Sequence, residues 1–274
     1  MQSGKICFIG GGNMARALIG GLRSSVGSGL SITVAEPDPD KRSQLAAQFA
    51  VTAVEDNAEA VTGAQIVVLA VKPQIMHAVA SALAPTLTSD QLVVSVAAGI
   101  RVAALVEWLG GHGAVVRAMP NTPSLIGCGA AGLFSAPGVD DAQRSEAESL
   151  MRAVGTVQWV EDEALMDSVT ALSGSGPAYL FLVMEAMQAA GERLGLDAAA
   201  ARLLTLETVF GAARLAMESS DPPDILRARV TSPGGTTERG ISALEEAGLR
   251  EAFVQATEAA RARSRELAEQ LEND

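Results

Sequence analysis

The stretch ICFIGGGNMA at residues 6–15 constrains the fold more than any other feature of the sequence. An apolar run that is typical of a buried β-strand leads into Gly-x-Gly-x-x-Ala, and a helical pattern follows. In such a turn the first glycine allows a tight bend, the second leaves room for a ligand, and the small residue at Ala15 lets helix and strand pack closely. Three consecutive glycines can also form an ordinary loop, but the flanking strand and helix favour a phosphate-binding turn at a helix N-terminus.

The same pattern of apolar run, turn and amphipathic helix repeats up to about residue 160. The predicted strands are Lys5–Ile9, Ile32–Ala35, Ile66–Ala70, Leu92–Val96, Val115–Ala118 and Thr156–Trp159. The predicted helices include Met14–Arg23, Lys41–Phe49, Ile75–Leu83 and Ala142–Ala153. Several strands are apolar at every position, as in parallel sheets that helices cover on both faces. We therefore predict an α/β fold, with a doubly wound Rossmann-type dinucleotide-binding domain over residues 1–161.

From about Asp162 onward the sequence changes to helical patterns rich in Ala, Leu and Glu, with no convincing strand. The segment SGSGP at residues 173–177 separates two predicted helices, with Ser175 as a cap and Pro177 in the first turn of the next helix. That next helix is apolar on most of its circumference and must be buried on all sides. We predict an all-α dimerisation domain over residues 162–274, because so small a domain cannot cover this helix alone.

The chain carries 20 Lys and Arg against 32 Asp and Glu, which gives a net charge of −12. So acidic a protein is repelled by phosphate backbones and anionic lipids, and we expect neither nucleic acid nor a membrane surface as a partner. No apolar stretch reaches the length of about 20 residues that a membrane helix needs. The glycines at 10–12 interrupt any apolar core of a signal peptide, so we expect a cytoplasmic protein.

The side chains that serve most often as catalytic acids and metal ligands are scarce. The only histidines are His77 and His112, and neither lies within metal-ligand spacing of a Cys, Asp or Glu cluster. We therefore expect no metal site and no triad of nucleophile, histidine and acid. Tyr179 is the only tyrosine, and the apolar helix around it favours packing over catalysis. If the chain is an enzyme, a cofactor must carry the difficult step.

Glu36 follows the second predicted strand, about 20 residues after Ala15, where an acid accepts hydrogen bonds from the adenosine ribose in NAD-binding folds. The segment EPDPD at residues 36–40 also fits a solvated acidic turn. Lys41 and Arg42 lie next to it and leave binding of a 2′-phosphate open. The sequence therefore predicts NADPH or NADH as the cofactor, although a carboxylate at Glu36 favours NADH by repelling a 2′-phosphate.

Further motifs follow along the chain: VVLAVKPQ at 67–74, SVAAGI at 95–100, RAMPNTP at 117–123, LSGSGPAY at 172–179 and VTSPGGTT at 230–237. Together with the glycine turn they resemble pyrroline-5-carboxylate reductase, a family that reduces the cyclic imine pyrroline-5-carboxylate to proline. The resemblance runs from Lys5 to about Glu269, and the SPGGTT motif is typical of this family rather than of dinucleotide-binding proteins in general. It implies hydride transfer from NAD(P)H and a homodimer that can assemble further.

The resemblance also implies roles for individual residues. The residues implied in binding the cofactor are Ile9, Gly10, Gly11, Gly12, Asn13, Met14, Glu36, Asn57, Ala70, Val71, Lys72, Pro73, Ala97, Ala98, Met119, Pro120 and Asn121. Those implied in binding the substrate are Ser232, Gly234, Gly235, Thr236 and, by a weaker correspondence, Glu163. Thr237 is the implied catalytic residue, because its hydroxyl would reach the ring nitrogen of the imine.

The loop at residues 232–237 also has a physical logic that does not depend on the resemblance. Adjacent amides around Gly234 and Gly235 can form a concavity that binds a carboxylate without a lysine. An ordinary turn that caps the helical run at 241–247 fits the same residues, with Thr237 as the capping side chain. Imine reduction suits the few acid-base residues, since an iminium enters already protonated and a positioned hydroxyl suffices to orient it.

Two other functions compete with this interpretation. A 3-hydroxyacid dehydrogenase would need a catalytic lysine in the helical domain, but no lysine occurs after Lys72. Lys72 itself ends a predicted strand before Pro73, which suits a place in the cofactor cleft better than proton donation. A nucleotide-sensing module would be expected to carry a basic DNA-binding segment or a long disordered tail, and the sequence contains neither.

Overall fold

The computed structural model describes residues 4–273 and divides into two compact units. The first unit comprises the described residues of Met1–Ser175 and Ala259–Asp274, and the second comprises Gly176–Glu258. These bounds differ from the predicted domain ranges 1–161 and 162–274, whose residues 1–3 and 274 lie outside the described part of the chain. The first unit extends further because Met166 and Ala268 are buried in it. A functional division after residue 161 stays a prediction.

The first unit is built on an eight-stranded sheet with the order β3-β2-β1-β4-β5-β6-β7-β8. Its strands are β1 (Lys5–Ile9), β2 (Ser31–Ala35), β3 (Thr52–Val54), β4 (Ile66–Leu69), β5 (Leu92–Ser95), β6 (Val115–Met119), β7 (Gly129–Ser135) and β8 (Gly155–Trp159). Strands β1 to β6 pair in parallel, β7 runs antiparallel to β6, and β8 runs parallel to β7. The strand order reverses between β1 and β4, which is where this type of sheet binds dinucleotides. The predicted Rossmann-type fold is confirmed.

All the predicted strands are present, and each ends within one residue of its predicted bounds. Two strands, β3 and β7, were not predicted from the sequence. Strand β3 is short and has no buried residue, and β7 reads GAAGLFS, in which glycine and alanine are poor strand formers. Because β7 runs antiparallel to β6, the regular alternation of parallel strand and helix ends at β6.

The described part of the first unit has seven α-helices before Ser175: α1 (Asn13–Val26), α2 (Pro39–Phe49), α3 (Asn57–Val61), α4 (Met76–Leu83), α5 (Val102–Trp108), α6 (Asp141–Arg152) and α7 (Leu165–Val169). Helices α1 and α6 pack on the sheet face that carries Phe8 and Val68, and α4 and α5 pack on the face that carries Cys7 and Leu69. Burial raises the pKa of the Cys7 thiol to about 12, so this side chain stays protonated as a small core residue.

The second unit is helical throughout. Its helices are α8 (Gly176–Arg193), α9 (Ala198–Glu218), α10 (Pro223–Arg229), α11 (Thr236–Glu246) and the first part of α12 (Leu249–Asn273). Asp197 caps α9 by accepting a hydrogen bond from the amide of Ala200 (2.9 Å). No residue of the fully described helix α8 is buried in the single chain, and Phe181 and Leu182 on it are 58% and 65% exposed. The full burial that the sequence predicts for this helix is therefore not reached within the single chain.

The segment SGSGP lies between two helical segments as predicted, but only Ser175 belongs to neither of them. Helix α7 continues into a π-helix at Thr170–Gly174, in which the amide of Ser175 donates to the carbonyl of Thr170 (2.8 Å). Ser175 is the C-cap residue of the π-helix and has helical dihedral angles, φ −84° and ψ −23°, so it lacks the extended backbone expected of an N-cap of the next helix. Pro177 lies in the first turn of α8, as predicted. The first two residues of the segment, Ser173 and Gly174, therefore lie in a wide π turn at the end of α7.

Candidate active site

The glycine turn joins β1 to α1 at the point where the strand order reverses. Gly10 has φ +97°, a conformation that L side chains rarely adopt, and a Cβ at this position would lie 2.9 Å from the carbonyl oxygen of Ala70. The amide of Gly10 donates to the carbonyl of Ala35 (2.9 Å), which fixes the turn to the end of β2. Backbone conformation and space therefore both require glycine here.

The N-terminus of α1 is open to an anion. Gly12 is its N-cap and supplies no side-chain hydrogen bond, and a Cβ at Gly12 would meet nothing within 4 Å. The amides of Asn13 and Met14, in the first turn, therefore keep their hydrogen-bonding capacity, and the helix dipole adds positive potential. Ala15 is fully buried, as close packing of helix and strand requires. This geometry fits the pyrophosphate of a dinucleotide.

Glu36 is held beside the glycine turn. The residue is only 8% exposed. Its Oε2 accepts a hydrogen bond from the amide of Gly11 (3.0 Å), and its Oε1 accepts one from the amide of Asp38 (3.2 Å). A solvated acidic turn does not describe this residue. A carboxylate fixed at the end of β2 lies where this type of fold binds the hydroxyls of the adenosine ribose.

The two cations nearest to Glu36 in sequence already have partners. Nη1 of Arg42 donates to two main-chain carbonyls at 2.8 and 2.7 Å, and its Nη2 lies 3.1 Å from Oε2 of Glu55. Nζ of Lys41 lies 3.6 Å from Oδ2 of Asp38. A 2′-phosphate at this site would therefore meet a buried carboxylate and two cations that other acids already neutralise.

The segments after β4 and β5 continue the same edge of the sheet. The amide of Ala70 donates to the carbonyl of Ile9 (2.9 Å), which joins the residue after β4 to β1. Lys72 is exposed and precedes the 3₁₀ turn Pro73–Ile75. The other residues predicted to bind the cofactor in these segments, and one at the start of α3, belong to the same unit: Val71, Ala97, Ala98 and Asn57.

The segment after β6 is tied down by one side chain. Nδ2 of Asn121 donates to the carbonyl of Ser173 (3.0 Å), and its Oδ1 accepts from the amide of Ala130 (2.9 Å). Both polar ends of this amide are therefore engaged within the protein. Met119, at the end of β6, is half-buried, and Pro120 after it is buried. The contact of Asn121 with the cofactor that the resemblance implies stays a prediction.

Glu163 belongs to the first unit and forms a partly buried ion pair there. Its Oε1 accepts from Nη1 of Arg117 (3.0 Å) and from the amide of Val102 (2.8 Å) at the start of α5. Arg117 is 3% exposed, so this pair neutralises a charge inside the unit. These contacts account for the carboxylate without a ligand, and the predicted contact of Glu163 with the substrate stays a prediction.

The loop before α11 lies in the second unit. Gly234 has φ +71°, and a Cβ at Gly235 would lie 2.9 Å from the carbonyl oxygen of Ser232, so both positions favour glycine. The amide of Gly234 donates to Oε2 of Glu238 (2.7 Å), and the amide of Gly235 donates to the carbonyl of Ser232 (3.0 Å). Both amides predicted to hold the substrate carboxylate therefore have acceptors within the chain, and one of these acceptors is itself a carboxylate.

Helix α11 begins earlier than the sequence predicts. Its first residues are Thr236 and Thr237, and its N-cap is Gly235, which offers no side-chain hydrogen bond. The predicted alternative, in which Thr237 caps the helix, is therefore wrong. The amides of the first turn receive no cap and can bind a carboxylate. In the single chain both threonines are exposed.

Two contacts of the site were missed at the level of sequence. Arg117 interrupts the apolar strand β6, and a charge in a buried strand is a signal that a partner such as Glu163 must exist. The acid at Glu238 follows the two threonines of SPGGTT, where an acid commonly bonds back to the amides before the helix. Both signals are present in the sequence, but neither identifies its partner.

Within residues 4–273, no helix is long and apolar enough to span a bilayer. The same residues contain no group of three or more His, Cys, Asp or Glu side chains that could hold a metal ion. Nε2 of His112 lies 2.8 Å from the carbonyl oxygen of Gln91. His77 packs on Trp108 with the ring centroids 4.9 Å apart. Both histidines are therefore engaged in contacts within the first unit.

Two family models match the chain. The model described as pyrroline-5-carboxylate reductase dimerisation matches residues 163–267. The model described as NADP oxidoreductase, coenzyme F420-dependent, matches residues 5–99. Pyrroline-5-carboxylate reductase of Pseudomonas aeruginosa is 52% identical over 271 residues, which cover 99% of each chain. That of Pisum sativum is 39% identical over 261 residues, which cover 95% of this chain and 94% of the plant protein.

Solved structures give the same assignment. A pyrroline-5-carboxylate reductase from Coxiella burnetii has a TM-score of 0.94 at 46% identity and covers 97% of this chain and 99% of its own. Plasmodium falciparum pyrroline carboxylate reductase with NADP bound has a TM-score of 0.85 at 29% identity, covering 98% and 99%. A 3-hydroxyisobutyrate dehydrogenase from Mycobacterium tuberculosis, at a TM-score of 0.54 and 17% identity over 99% and 94%, shares the fold alone. This chain belongs to the pyrroline-5-carboxylate reductase family.

Proposed function

We propose that this protein reduces 1-pyrroline-5-carboxylate to L-proline by hydride transfer from NADH or NADPH to the cyclic imine. Its likeness to members of the family over almost the whole chain supports this function. The observation that carries the proposal is the start of α11, an uncapped helix N-terminus whose first two residues carry hydroxyl groups. Such a start offers amides to a carboxylate and a hydroxyl to a neighbouring nitrogen.

The substrate carboxylate would bind the amides at the start of α11, within the segment from Ser232 to Thr237. The amides of Gly234 and Gly235 already donate to Glu238 and to the carbonyl of Ser232, so the amides of the first turn of α11 are the ones proposed to bind the carboxylate. Thr236 lies in the first helical position, where its amide has no intrahelical acceptor. The site therefore recognises an anion without a lysine or arginine side chain.

Thr237 would orient the ring nitrogen of the imine. The bound nicotinamide cofactor supplies the hydride to the imine carbon. Because the cyclic imine enters as its protonated iminium, the chain needs no strong general acid at the nitrogen. A neutral hydroxyl that holds the nitrogen in place is sufficient, which agrees with histidines that are engaged elsewhere. The contact of Glu163 with the substrate is proposed from the family resemblance alone, because its carboxylate is already paired with Arg117.

The open turn from Gly10 to Met14 would hold the pyrophosphate, and Glu36 would accept from the adenosine ribose. We also propose a cytoplasmic homodimer that can assemble further. The exposed apolar side chains of α8 and α9 support the dimer, among them Phe181, Leu182 and Phe210. An apolar surface of this kind marks a permanent rather than a transient interface.

Purified protein should oxidise NADH or NADPH only when pyrroline-5-carboxylate is present, and proline should accumulate in the same amount. A 3-hydroxy acid with the oxidised cofactor serves as the control for the competing dehydrogenase function. Turnover of the hydroxy acid, or no turnover of the imine with either cofactor, would contradict the proposal.

A further inference from the structure

The carboxyl edge of the sheet has an adenosine end and a nicotinamide end. The pyrophosphate site lies at Gly12, and Glu36 marks the adenosine side at β2. In a sheet of order 3-2-1-4-5-6 the nicotinamide then lies on the side of β4, β5 and β6. The segment after β6, from Met119 to Asn121, is therefore a wall of the nicotinamide end.

This wall is attached to the π-helix Thr170–Gly174 by two contacts. The first is the hydrogen bond from Nδ2 of Asn121 to the carbonyl of Ser173 (3.0 Å). The second is packing of Met119 on Gly174, where a Cβ would lie 2.8 Å from the methyl carbon of Met119. The π-helix therefore meets both ends of the wall.

The sequence explains why this carbonyl is available. In a continuous α-helix the carbonyl of Ser173 would accept from the amide four residues later, but that residue is Pro177, which has no N–H. The wide turn at Thr170 and the missing donor leave the carbonyl to Asn121. The opposite end of the same side chain is fixed by the amide of Ala130 (2.9 Å). Asn121 therefore connects β7, the wall and the π-helix.

We propose that Asn121 and Gly174 are positioning residues for the nicotinamide half of the cofactor: they hold the Met119–Pro120 wall against which that ring binds. This inference rests on the proposed function, since it assigns the ligand of that same site. Asn121 acts through its neighbours, because one hydrogen bond at each end of its amide ties it to Ser173 and to Ala130. At the adenosine end, the carboxylate of Glu36 accepts from the amides of Gly11 and Asp38, and no hydrogen bond within residues 4–273 links it to Asn121 or Gly174.

Two single variants perturb the two contacts separately. Asn121→Asp keeps an acceptor for the amide of Ala130 but places a carboxylate oxygen against the carbonyl of Ser173, which removes the donor. Gly174→Ala adds a Cβ that pushes the methyl group of Met119. Gly176→Ala is the matched control, because a Cβ at Gly176, two residues further on, would meet nothing within 4 Å.

The readout is the dissociation constant of NADH compared with that of ADP-ribose, which has the adenosine and pyrophosphate but no nicotinamide. We expect NADH to bind about tenfold more weakly to Asn121→Asp and to Gly174→Ala. A tenfold change in Kd matches the net free energy of about one hydrogen bond. ADP-ribose should bind all variants equally, and Gly176→Ala should bind both ligands as the native protein does.

Equal weakening of NADH and ADP-ribose in both variants would assign a purely structural role to the contacts and overturn the proposal. Unchanged NADH binding in both variants would overturn it as well. If Asn121→Asp fails to fold, Gly174→Ala gives the independent measurement. Failure of the proposed function is recognised separately, because native protein that does not reduce pyrroline-5-carboxylate can still be titrated with both ligands.

Discussion

The two units of the chain differ in how they bury their apolar side chains. The first unit encloses its core on both faces of the sheet, and residues such as Phe8, Leu18 and Leu69 have no measurable exposure. In the fully described second unit, Ala201 is the one buried hydrophobic residue, and larger side chains such as Phe181 and Leu182 are open to solvent. The first unit can thus fold around its own interior, whereas the proposed dimer would supply an interior to the second.

The largest expected effect comes from breaking that association. Phe181→Glu places a carboxylate on α8, where a second chain would bury it unpaired, at a cost of about 3–5 kcal/mol. We expect monomers by sedimentation velocity, loss of activity and an early unfolding transition of the second unit. Ile126→Glu is the matched control, because Ile126 is a 79% exposed apolar residue of the first unit. Dissociation by both variants alike, or a native protein that sediments as an active monomer, would remove the contrast between the units.

The first unit was also the more predictable of the two. Most of its strands were located because they are short runs rich in apolar residues, such as IVVL in β4, and because the glycine turn specifies its own geometry within a few residues. Strand β7 was missed because its pairing with β6 is set by tertiary contacts and its own residues have little strand preference. Local patterns therefore predicted the strands up to β6 except β3, and they did not reveal the antiparallel strand β7.

The candidate site shows the same limit. The sequence pointed to Asn121, Glu163 and Gly234, but not to the partners that fix them. Asn121 bonds to a carbonyl 52 residues away, and Glu163 bonds to a guanidinium 46 residues away. Such pairs depend on how strands and helices are arranged in space, and one sequence carries no record of that arrangement. The effect of Pro177 on the carbonyl of Ser173 is local, but its consequence appears only when Asn121 is nearby.

The next effect tests the second unit at its proposed catalytic residue. Thr237→Ala removes one neutral hydrogen bond to the imine. The resulting decrease in kcat/KM should correspond to a loss of about 2–4 kcal/mol of transition-state stabilisation. Thr237→Ser should keep most of the rate because the hydroxyl remains. Since the N-cap of α11 is Gly235 and not Thr237, the melting temperature should not fall in either variant. A lower melting temperature with normal kinetics would mean that Thr237 has a structural role only.

A smaller effect tests the buried edge of the first unit. Glu36→Ser removes the carboxylate that would repel a 2′-phosphate. The ratio of kcat/KM for NADPH to that for NADH should therefore rise by a factor that corresponds to about 1–2 kcal/mol. The ratio of the two dissociation constants should move in the same direction. Asp40→Ser is the matched control, because Asp40 is an exposed acid of the same segment that begins α2. An unchanged ratio in Glu36→Ser would mean that Lys41 or Arg42, and not Glu36, determines the preference between NADH and NADPH.

The smallest effect compares one kind of contact in both units. Asp140 caps α6 by accepting from the amide of Gln143 (2.8 Å), and Asp197 caps α9 by accepting from the amide of Ala200 (2.9 Å). Replacing either aspartate by alanine should cost about 1 kcal/mol of stability. If the second unit obtains its interior by association, the unfolding temperature of that unit in Asp197→Ala should rise as the protein concentration rises. The transition weakened by Asp140→Ala should not depend on concentration, because the core that α6 covers lies within one chain. Thermal unfolding of both variants at two concentrations measures this difference, and the same concentration dependence in both would show that the two units unfold as one.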